Sequence, residues 1–322
     1  IKEMQPGQII QAMRTQAIKD GMLPPGGFKP FLDDLREYLN PYRKLDSERA
    51  NWLKGLRAEL VGETPVAEED KSTNLLYVGC APLREPEAER MPQTAVSLLL
   101  KAGVDVGVLG EKERCCGNPS LRIGDVEQFT AFARENIKMF HEIGVKRLIT
   151  TCPFCYSTLR RDYPEVGARM DFQIVHILEY VDQLISEGKL KLTKPLNLSV
   201  TYHDPCHLGR ISTAGISGTG NFTGIYEEPR NILKSIPGLK LVEMERIRDD
   251  SWCCGAGGWL RYGYPDFAQW TAGKRIEEAE ATGARGLVTY CPHCEENLGE
   301  AIKNRGDGIK LYNLLDLVLQ AL

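Results

Sequence analysis

The sequence predicts an α/β fold that is built from two similar units with parallel β-sheets and is preceded by a helical segment. Short apolar runs alternate with amphipathic helical patterns from about residue 74 to the end of the chain. The cysteine pattern and its flanking residues recur about 138 positions later, which indicates a duplicated domain rather than a solenoid repeat. The first 70 residues carry helical patterns but no cysteine.

Length and composition are those of an ordinary globular protein. The chain has 322 residues, which suits two domains, and 42% of them are hydrophobic and 26% charged. A net charge of −4 implies no basic face, so nucleic acid is not an expected partner. No apolar run reaches the ~18 residues that a membrane helix needs. Because no secretory segment opens the sequence, we expect a cytoplasmic protein.

The first part of the chain is predicted to hold two helices. An amphipathic helix over Pro6–Gly21 is followed by a Pro- and Gly-rich break at 23–29 and by a second helix at 31–39. The apolar face of the first helix would consist of Ile9, Ile10, Met13 and Ile18. A charged linker is predicted at 67–72. The predicted domain boundaries are 1–70 for the helical segment, 71–190 for the first unit and 191–322 for the second.

Predicted strands and helices then alternate. The strands of the first unit are predicted at Asn74–Gly79, Val104–Gly110 and Arg147–Thr151, and those of the second at Leu198–Tyr202, Leu239–Met244 and Gly286–Tyr290. The helices of the first unit are predicted at Pro92–Gly103 and between a cap at Asp125 and Gly144, with Val126, Phe129, Ala133, Ile137 and Phe140 as the apolar face. This alternation implies two Rossmann-like βα domains with right-handed crossovers, related by a pseudo-twofold axis.

Ten cysteines form two sets with the same spacing pattern. The first set is Cys80, Cys115, Cys116, Cys152 and Cys155, and the second is Cys206, Cys253, Cys254, Cys291 and Cys294. The flanks agree as well, since Ile174–Glu179 aligns with Leu311–Asp316. Adjacent cysteines and Cys-x-x-Cys pairs without a secretory segment argue against a disulfide framework. They favour metal ligation or redox chemistry.

The predicted topology brings each set of cysteines together. Cys80, Cys152, Cys206 and Cys291 all follow the carboxyl end of a predicted strand. Ligands bind at that edge of a parallel sheet. The two Cys-Cys-Gly segments follow the remaining strands, so each unit can gather five thiols at one rim.

Five thiols per unit suit a soft metal or an iron–sulfur cluster. A structural zinc site takes four ligands, which usually come in closely spaced pairs, and the cysteine run of a bacterial ferredoxin is absent. Adjacent cysteines can serve one site only if the chain turns sharply after them, and Gly117 and Gly255 permit that turn. A distorted four-iron cluster and a zinc-binding interaction module therefore both stay open at this point.

The duplicated pattern Cys-x(n)-Cys-Cys-Gly-x(n)-Cys-x-x-Cys resembles the cysteine-rich CCG family. That family includes the catalytic subunit of heterodisulfide reductase and the iron–sulfur subunits of glycolate, lactate and anaerobic glycerol-3-phosphate oxidation. The resemblance covers roughly 74–322 and includes Tyr202–Arg210 and Cys253–Gly258. It implies that each complete set binds one noncubane [4Fe–4S] cluster, that a disulfide is cleaved between the two clusters, and that all ten cysteines are ligands with a part in catalysis.

The residues next to the cysteines are weaker candidates. The resemblance makes Gly117, Gly255, Gly257, His207, Arg210 and Trp259 candidates for contact with a cluster. His207 and His293 are expected beside a cluster rather than on iron, and His203 and Asp204 are expected to shape the turn before Cys206. Arg84, Arg114, Arg210 and Arg261 would either offset the charge of a cluster or bind an anionic group of a substrate.

The helical segment indicates partners. Pro6–Gly21 and 40–52 are similar to the helix and connector that follow the ferredoxin-like domain in fused relatives, yet the cysteines of such a domain are not in this chain. Either the gene product is longer, or that domain is absent. The expected partners are a ferredoxin-like iron–sulfur domain or subunit, a flavoprotein or a membrane quinone or cytochrome subunit, and a disulfide or thiol substrate. Such subunits would hold the chain at the inner face of a membrane.

Two functions follow as hypotheses. The first is a disulfide reductase with paired clusters, for which the rims should enclose one cleft lined by Pro82, Leu83, His207, Arg210 and Trp259. The second is an electron relay from a flavoprotein dehydrogenase to quinone. Cleavage of a disulfide takes two electrons, whereas a cluster usually exchanges one, so two complete sets favour the first hypothesis.

Overall fold

The structure is a computed structural model that describes residues 6–22, 28–56, 74–213, 224–306 and 308–322. The predicted linker at 67–72 and most of the predicted break at 23–29 lie outside the described residues. Among the helices of the described residues, none combines the length and the apolar character that crossing a membrane requires.

Two four-stranded parallel sheets form the frame of the molecule, as predicted. The first sheet has the order β2-β1-β3-β4, and the second has the equivalent order β6-β5-β7-β8. The strands are β1 Asn74–Tyr77, β2 Gly107–Val108, β3 Arg147–Thr150, β4 Gln173–His176, β5 Leu198–Tyr202, β6 Leu239–Leu241, β7 Gly286–Thr289 and β8 Lys310–Asn313. All pairings within each sheet are parallel, so the carboxyl ends of its strands share one edge.

The central strands match their predicted positions best. Leu75, Leu76 and Tyr77 are fully buried, as expected for a strand covered on both faces. The edge strands β2 and β6 are shorter than predicted. β4 and β8 were not predicted as strands, because their short segments are only partly buried and mix polar with apolar residues. A helix follows each of these strands directly, and the last residue of the strand, His176 in β4 and Asn313 in β8, is the N-cap of that helix.

Helices cover both faces of the two sheets. In the helical segment, α1 spans Pro6–Lys19 and α2 spans Phe28–Tyr38; in the first unit, α3 spans Arg90–Lys101, α4 Asn118–Ile123, α5 Val126–Ile143, α6 Pro153–Ser157 and α7 Ile177–Ser186. In the second unit, α8 spans Arg210–Thr213, α9 Glu227–Ser235, α10 Leu260–Gly263, α11 Pro265–Ala281, α12 Pro292–Arg305 and α13 Leu314–Ala321. The fold is therefore α/β with two Rossmann-like units and an N-terminal helical segment.

Four of these helices form one layer between the sheets. Helix α7 of the first unit packs on α9 of the second, and α3 of the first packs on α13 of the second. Because α9 is the counterpart of α3 and α13 the counterpart of α7, these contacts are reciprocal, which is the relation a pseudo-twofold axis produces. Leu76 and Ile149 of the first sheet share one hydrophobic core with Val200 and Val288 of the second.

The predicted helix after Asp125 has the predicted ends. Asp125 accepts a hydrogen bond from the Gln128 amide at 3.0 Å and caps α5, and Gly144 ends the helix with φ +74°. The predicted apolar face is buried except at its first residue, since Val126 is 37% exposed. Asp125 also pairs with Arg36 of α2 and so connects the helical segment to the first unit.

The predicted helix α1 forms, but its apolar residues do not join the core. Ile9, Ile10 and Met13 are exposed, and Ile18 is only half-buried. Helix α1 contacts α4 through polar groups instead, as when Arg14 donates to the Arg122 carbonyl at 2.8 Å. Helix α2, in contrast, buries Phe28, Phe31, Leu32 and Leu35, and it begins three residues before its predicted start.

We predict that Asp125→Ala lowers the free energy of unfolding by about 1 kcal/mol, because the first amides of α5 lose their acceptor. Arg36→Ala is the matched control, since it removes only the ion pair of an exposed arginine and should cost less than about 0.5 kcal/mol. Denaturant unfolding under identical anaerobic conditions measures both. Equal losses in the two variants would show that the ion pair, and not the cap, carries the effect.

Candidate functional site

The five thiols of the first unit lie in a continuous row of sulfur contacts. The Cys80 and Cys115 sulfurs are 3.7 Å apart. Cys115 then contacts Cys116, Cys116 contacts Cys155, and Cys155 contacts Cys152. All five side chains are buried, and none forms a disulfide. The predicted gathering of these cysteines at one rim is what the fold produces.

The second unit repeats this row in the same order. Contacts run from Cys206 to Cys253, then to Cys254, then to Cys294, and finally to Cys291. Each sulfur therefore has the same neighbours as its counterpart in the first unit. One difference is exposure, because Cys206 and Cys253 are partly exposed whereas all thiols of the first set are buried.

The glycine after each cysteine pair makes the sharp turn that the sequence requires. Gly117 has φ +78° and Gly255 has φ +88°, a region that disfavours any residue with a Cβ atom. A Cβ atom on Gly255 would also lie 2.4 Å from the Ala268 carbonyl oxygen. The Gly255 amide donates to the Cys253 sulfur at 3.3 Å, so the turn itself supplies a hydrogen bond to the site.

Buried side chains anchor the backbone of the cysteine pairs. Asn136 donates to the Cys115 carbonyl at 2.9 Å, and Asn297 donates to the Cys254 carbonyl at 2.6 Å. The Tyr163 hydroxyl donates to the Cys116 carbonyl at 3.1 Å.

None of these anchoring side chains was predicted. Asn136 could have been predicted from the sequence, because it is a polar residue on the otherwise apolar face of α5, between Ala133 and Phe140. Such a residue must find a partner when it is buried.

The Cys-x-x-Cys segments begin helices. Cys152 is the N-cap of α6 and Cys291 is the N-cap of α12, each followed by a proline in the first turn. Burial raises the pKa of Cys152, but interactions with the Cys155 thiol and His293 lower it by more, so it lies well below its usual value. The Cys116 and Cys80 thiols likewise hold the pKa of Cys115 well below the usual value.

Two residues beside the first set of cysteines, Gly79 and Glu113, were not predicted. Gly79 has φ +78°, and a Cβ atom there would lie 2.9 Å from the Cys155 sulfur. The buried Glu113 carboxylate accepts hydrogen bonds from the Gly79 and Val78 amides and so fixes the backbone before Cys80. Burial raises the pKa of Glu113 to about 8.

Aromatic rings fill the seam between the two sets. Phe154 and His293 occupy the same position in their Cys-x-x-Cys segments, and their rings stack at 4.3 Å with an angle of 25°. His207 lies 3.9 Å from Phe154, and its Nδ1 is 2.6 Å from the Ser157 hydroxyl of the first unit. His293 also interacts with Cys152, so a residue of the second unit faces a thiol of the first set.

The arginines near the cysteines all have partners within the protein. Arg210 donates to the carbonyls of Asp249 and Ser251, at 2.8 and 2.6 Å, and so holds the segment that leads to Cys253. The partners of the other three are Glu296 and Glu85 for Arg84, Asp46 for Arg114, and Glu296 and Glu300 for Arg261. This pattern favours a structural role over the binding of a substrate anion.

The remaining candidates have different surroundings. Trp259 is buried, with its ring 4.4 Å from Phe31 and 5.3 Å from His293, so it is part of the wall beside the second set. A Cβ atom on Gly257 would lie 4.0 Å from the Phe154 ring. Asp204 does more than shape a turn, because both of its oxygens accept from the fully buried Arg230, at 2.7 and 2.9 Å.

The donor set fits an iron–sulfur cluster in each unit. Every set offers five soft sulfur donors that interact in succession, and eight of the ten thiols belong to one hydrophobic core that extends across both units. Thiolates are the ligands of iron–sulfur clusters, and a dry surrounding is one of the features that sets their reduction potential.

Comparison with known proteins identifies the family. A model of the CCG cysteine-rich domain matches residues 75–160 and 200–299. The chain belongs to the CCG cysteine-rich family. The two matched regions of this CCG protein contain both cysteine sets and the strands that lead to them.

Several curated relatives of this CCG protein are oxidoreductases or subunits of them. It is 33% identical to a subunit of the dihydromethanophenazine:CoB–CoM heterodisulfide reductase of Methanosarcina mazei, over 98% of this chain and 73% of that protein. It is 32% identical to the EtfAB:quinone oxidoreductase of Syntrophomonas wolfei, over 98% of this chain and 43% of that protein. It is also 32% identical to the probable iron–sulfur-binding oxidoreductase FadF of Bacillus subtilis, over 88% of this chain and 39% of that protein. The chain is thus a member of a family of iron–sulfur oxidoreductase subunits.

We predict that Gly79→Ala reduces the iron content of the loaded protein by about half, because the new methyl group displaces the Cys155 sulfur. Gly103→Ala is the matched control, since Gly103 has a similar φ of +70° but no atom within 4 Å of the position that a Cβ atom would take. Both variants carry the same backbone strain, of about 1–2 kcal/mol. Iron and sulfide assays after anaerobic loading compare them, and equal iron in the two variants would contradict a role for this contact.

Proposed function

We propose that this chain is an iron–sulfur oxidoreductase subunit that cleaves a disulfide between two noncubane [4Fe–4S] clusters. The observation that carries the proposal is the pair of complete five-thiol rows, which have the same order of contacts and face each other through the stack of Phe154 and His293. The relation to the heterodisulfide reductase of Methanosarcina mazei supports the reaction type. A single electron relay would need only one such row.

Each row of thiols would hold one cluster. The first cluster would be held by Cys80, Cys115, Cys116, Cys152 and Cys155, and the second by Cys206, Cys253, Cys254, Cys291 and Cys294. When bound, the two clusters supply the two electrons that cleavage of a disulfide takes.

The rest of the chain contributes enclosure and orientation. The rings of Phe154, His207 and His293 keep water away from the space between the rows, and the bond from Ser157 to His207 ties the two units together there. Burial of these rings strengthens the electrostatic interactions of any sulfur placed between them.

The expected cleft takes a different form from the one that the sequence suggested. Pro82, Leu83, His207 and Trp259 are buried, so they form walls rather than an open surface. A cavity of about 190 Å³ is lined by residues of both units, and the ion pair between Arg84 and Glu296, at 2.7 Å, lies in its lining. Its lining also includes Pro292, the residue after Cys291. We propose this cavity as the entrance for a disulfide substrate.

The electron-relay function is the second candidate. The similarity to the EtfAB:quinone oxidoreductase favours it, and so does the seam, because stacked rings provide a contiguous path between the two rows. In that case a flavoprotein would deliver electrons, and a ferredoxin-like, quinone or cytochrome partner would receive them. The exposed apolar residues Ile9, Ile10 and Met13 of α1 are consistent with a covering partner at the membrane surface or in a larger complex.

We predict about eight iron and eight sulfide ions per chain after anaerobic loading, from two four-iron clusters. Cys115→Ser and Cys254→Ser should each leave about half of both, because each unit has its own sheet and its own thiols. Metal and sulfide assays measure this. Stoichiometric zinc without sulfide would refute iron–sulfur clusters, and loss of all iron from either single variant would indicate one shared site.

We further predict that the loaded chain oxidises two equivalents of a reduced viologen for each CoB–CoM disulfide and releases two thiols, with two protons taken from water. Cys115→Ser and Cys254→Ser should each lower this turnover at least a hundredfold although one cluster remains. Transfer of electrons to a quinone without any release of thiols would establish the relay instead. Colorimetric thiol release and viologen absorbance give the two readouts.

A further inference from the structure

One difference between the two thiol rows lies at the end of their first strand. Tyr77 and His203 each stand three residues before the first cysteine of their set. The strand registers agree with this equivalence, since the preceding residues Leu76 and Tyr202 pair with Ile149 and Val288, which each stand three residues before the cysteine at the end of their own strand. A tyrosine therefore faces the first row where a histidine faces the second.

His203 has one ring nitrogen occupied and one without a partner. Arg275 donates its Nε–H to Nδ1 of His203 at 3.1 Å, so Nδ1 is the acceptor and the hydrogen of the neutral ring is on Nε2. The side chain is 1% exposed, and within the described part of the chain Nε2 has no hydrogen-bond partner. Buried N–H donors are nearly always hydrogen-bonded in folded proteins, so an acceptor for Nε2 is expected.

The sulfurs of the second row are the nearest candidates for that acceptor. A ring nitrogen of His203 and the Sγ atoms of Cys254 and Cys294 all lie within 4.8 Å of one another. Since Arg275 already occupies Nδ1, Nε2 is the nitrogen that is free to interact with these sulfurs. Burial and then the charge of Arg275 hold the pKa of His203 well below its usual value, in agreement with a neutral ring.

The first row has no such donor at the equivalent position. Tyr77 faces Cys116 and Cys155, the counterparts of Cys254 and Cys294. However, its hydroxyl donates to the Arg114 carbonyl at 2.6 Å, so its hydrogen is not available to sulfur. The two sites thus differ in hydrogen bonding as well as in exposure.

We propose that the Nε2–H group of His203 donates a hydrogen bond to the sulfurs of the second cluster site and raises the reduction potential of the cluster bound there. Hydrogen bonds to sulfur stabilise the more negative, reduced state of a cluster. Arg275 is then a positioning residue, because it fixes the tautomer and the orientation of the ring. This inference rests on the proposed function in that it assumes a cluster in the second row.

The test uses the full chain with only the second row loaded, in a Cys115→Ser background. In a redox titration followed by low-temperature EPR, His203→Phe should lower the ratio of reduced to oxidised cluster at the unsubstituted midpoint about tenfold, which corresponds to ~59 mV for one electron. His203→Gln keeps an N–H donor and should stay close to the unsubstituted value. Tyr77→Phe, measured in a Cys254→Ser background, is the matched control and should not shift the first cluster.

A second measurement does not depend on the stability of a variant. In chains labelled with ¹⁵N-histidine, the EPR signal of the second cluster should show a weak nitrogen coupling that His203→Gln removes. An unchanged midpoint in iron-loaded His203→Phe, or no nitrogen coupling in the unsubstituted protein, would overturn the proposal. Absence of disulfide cleavage would refute the proposed function but would leave both of these readouts interpretable.

Discussion

The structure depends on one constraint, which is that five sulfurs must meet at the carboxyl edge of each parallel sheet. A strand end supplies one sulfur, a helix N-terminus supplies two, and the cysteine pair can add two more only if the chain reverses directly after it. Gly117 and Gly255 allow that reversal through their positive φ angles. The buried amides of Asn136 and Asn297 then hold the carbonyls of the pairs in place. Without these turns, adjacent cysteines would point to opposite sides of an extended segment.

The duplication has preserved the sulfur positions and changed what surrounds them. Three of the five histidines in the chain lie next to the cysteine rows, and all three belong to the second unit. Where the second unit has His203, His207 and His293, the first has Tyr77, Ala81 and Phe154. The second unit therefore contributes an imidazole at three positions where the first contributes a phenol, a methyl group and a phenyl ring. The same backbone thus provides two sites with similar ligands and different electrostatics.

The parts of the site that follow from periodicity and spacing were predictable from the sequence, and the parts that follow from packing between the units were not. Strand ends and Cys-x-x-Cys helices locate the thiols, because parallel strands place their carboxyl ends at one edge. The role of Phe154 depends on how the two units face each other, which local patterns do not encode. The exposure of Ile9 and Met13 in α1 was missed for the same reason, since an amphipathic pattern shows an apolar face but not what covers it.

The unequal surroundings of the two rows would give electron transfer between them a preferred direction, which two identical rows would lack. Two identical cluster sites would bind either half of a disulfide equally well and would compete equally for the first electron. In this chain the second row has two partly exposed thiols, Cys206 and Cys253, and the buried Nε2–H donor of His203, and both features would favour the reduced state of a cluster bound there. The first row is buried, and the stacked rings of Phe154 and His293 lie between it and the second row. If each row holds a cluster, as proposed, an electron that enters at the exposed thiols would reach the buried row across this stack.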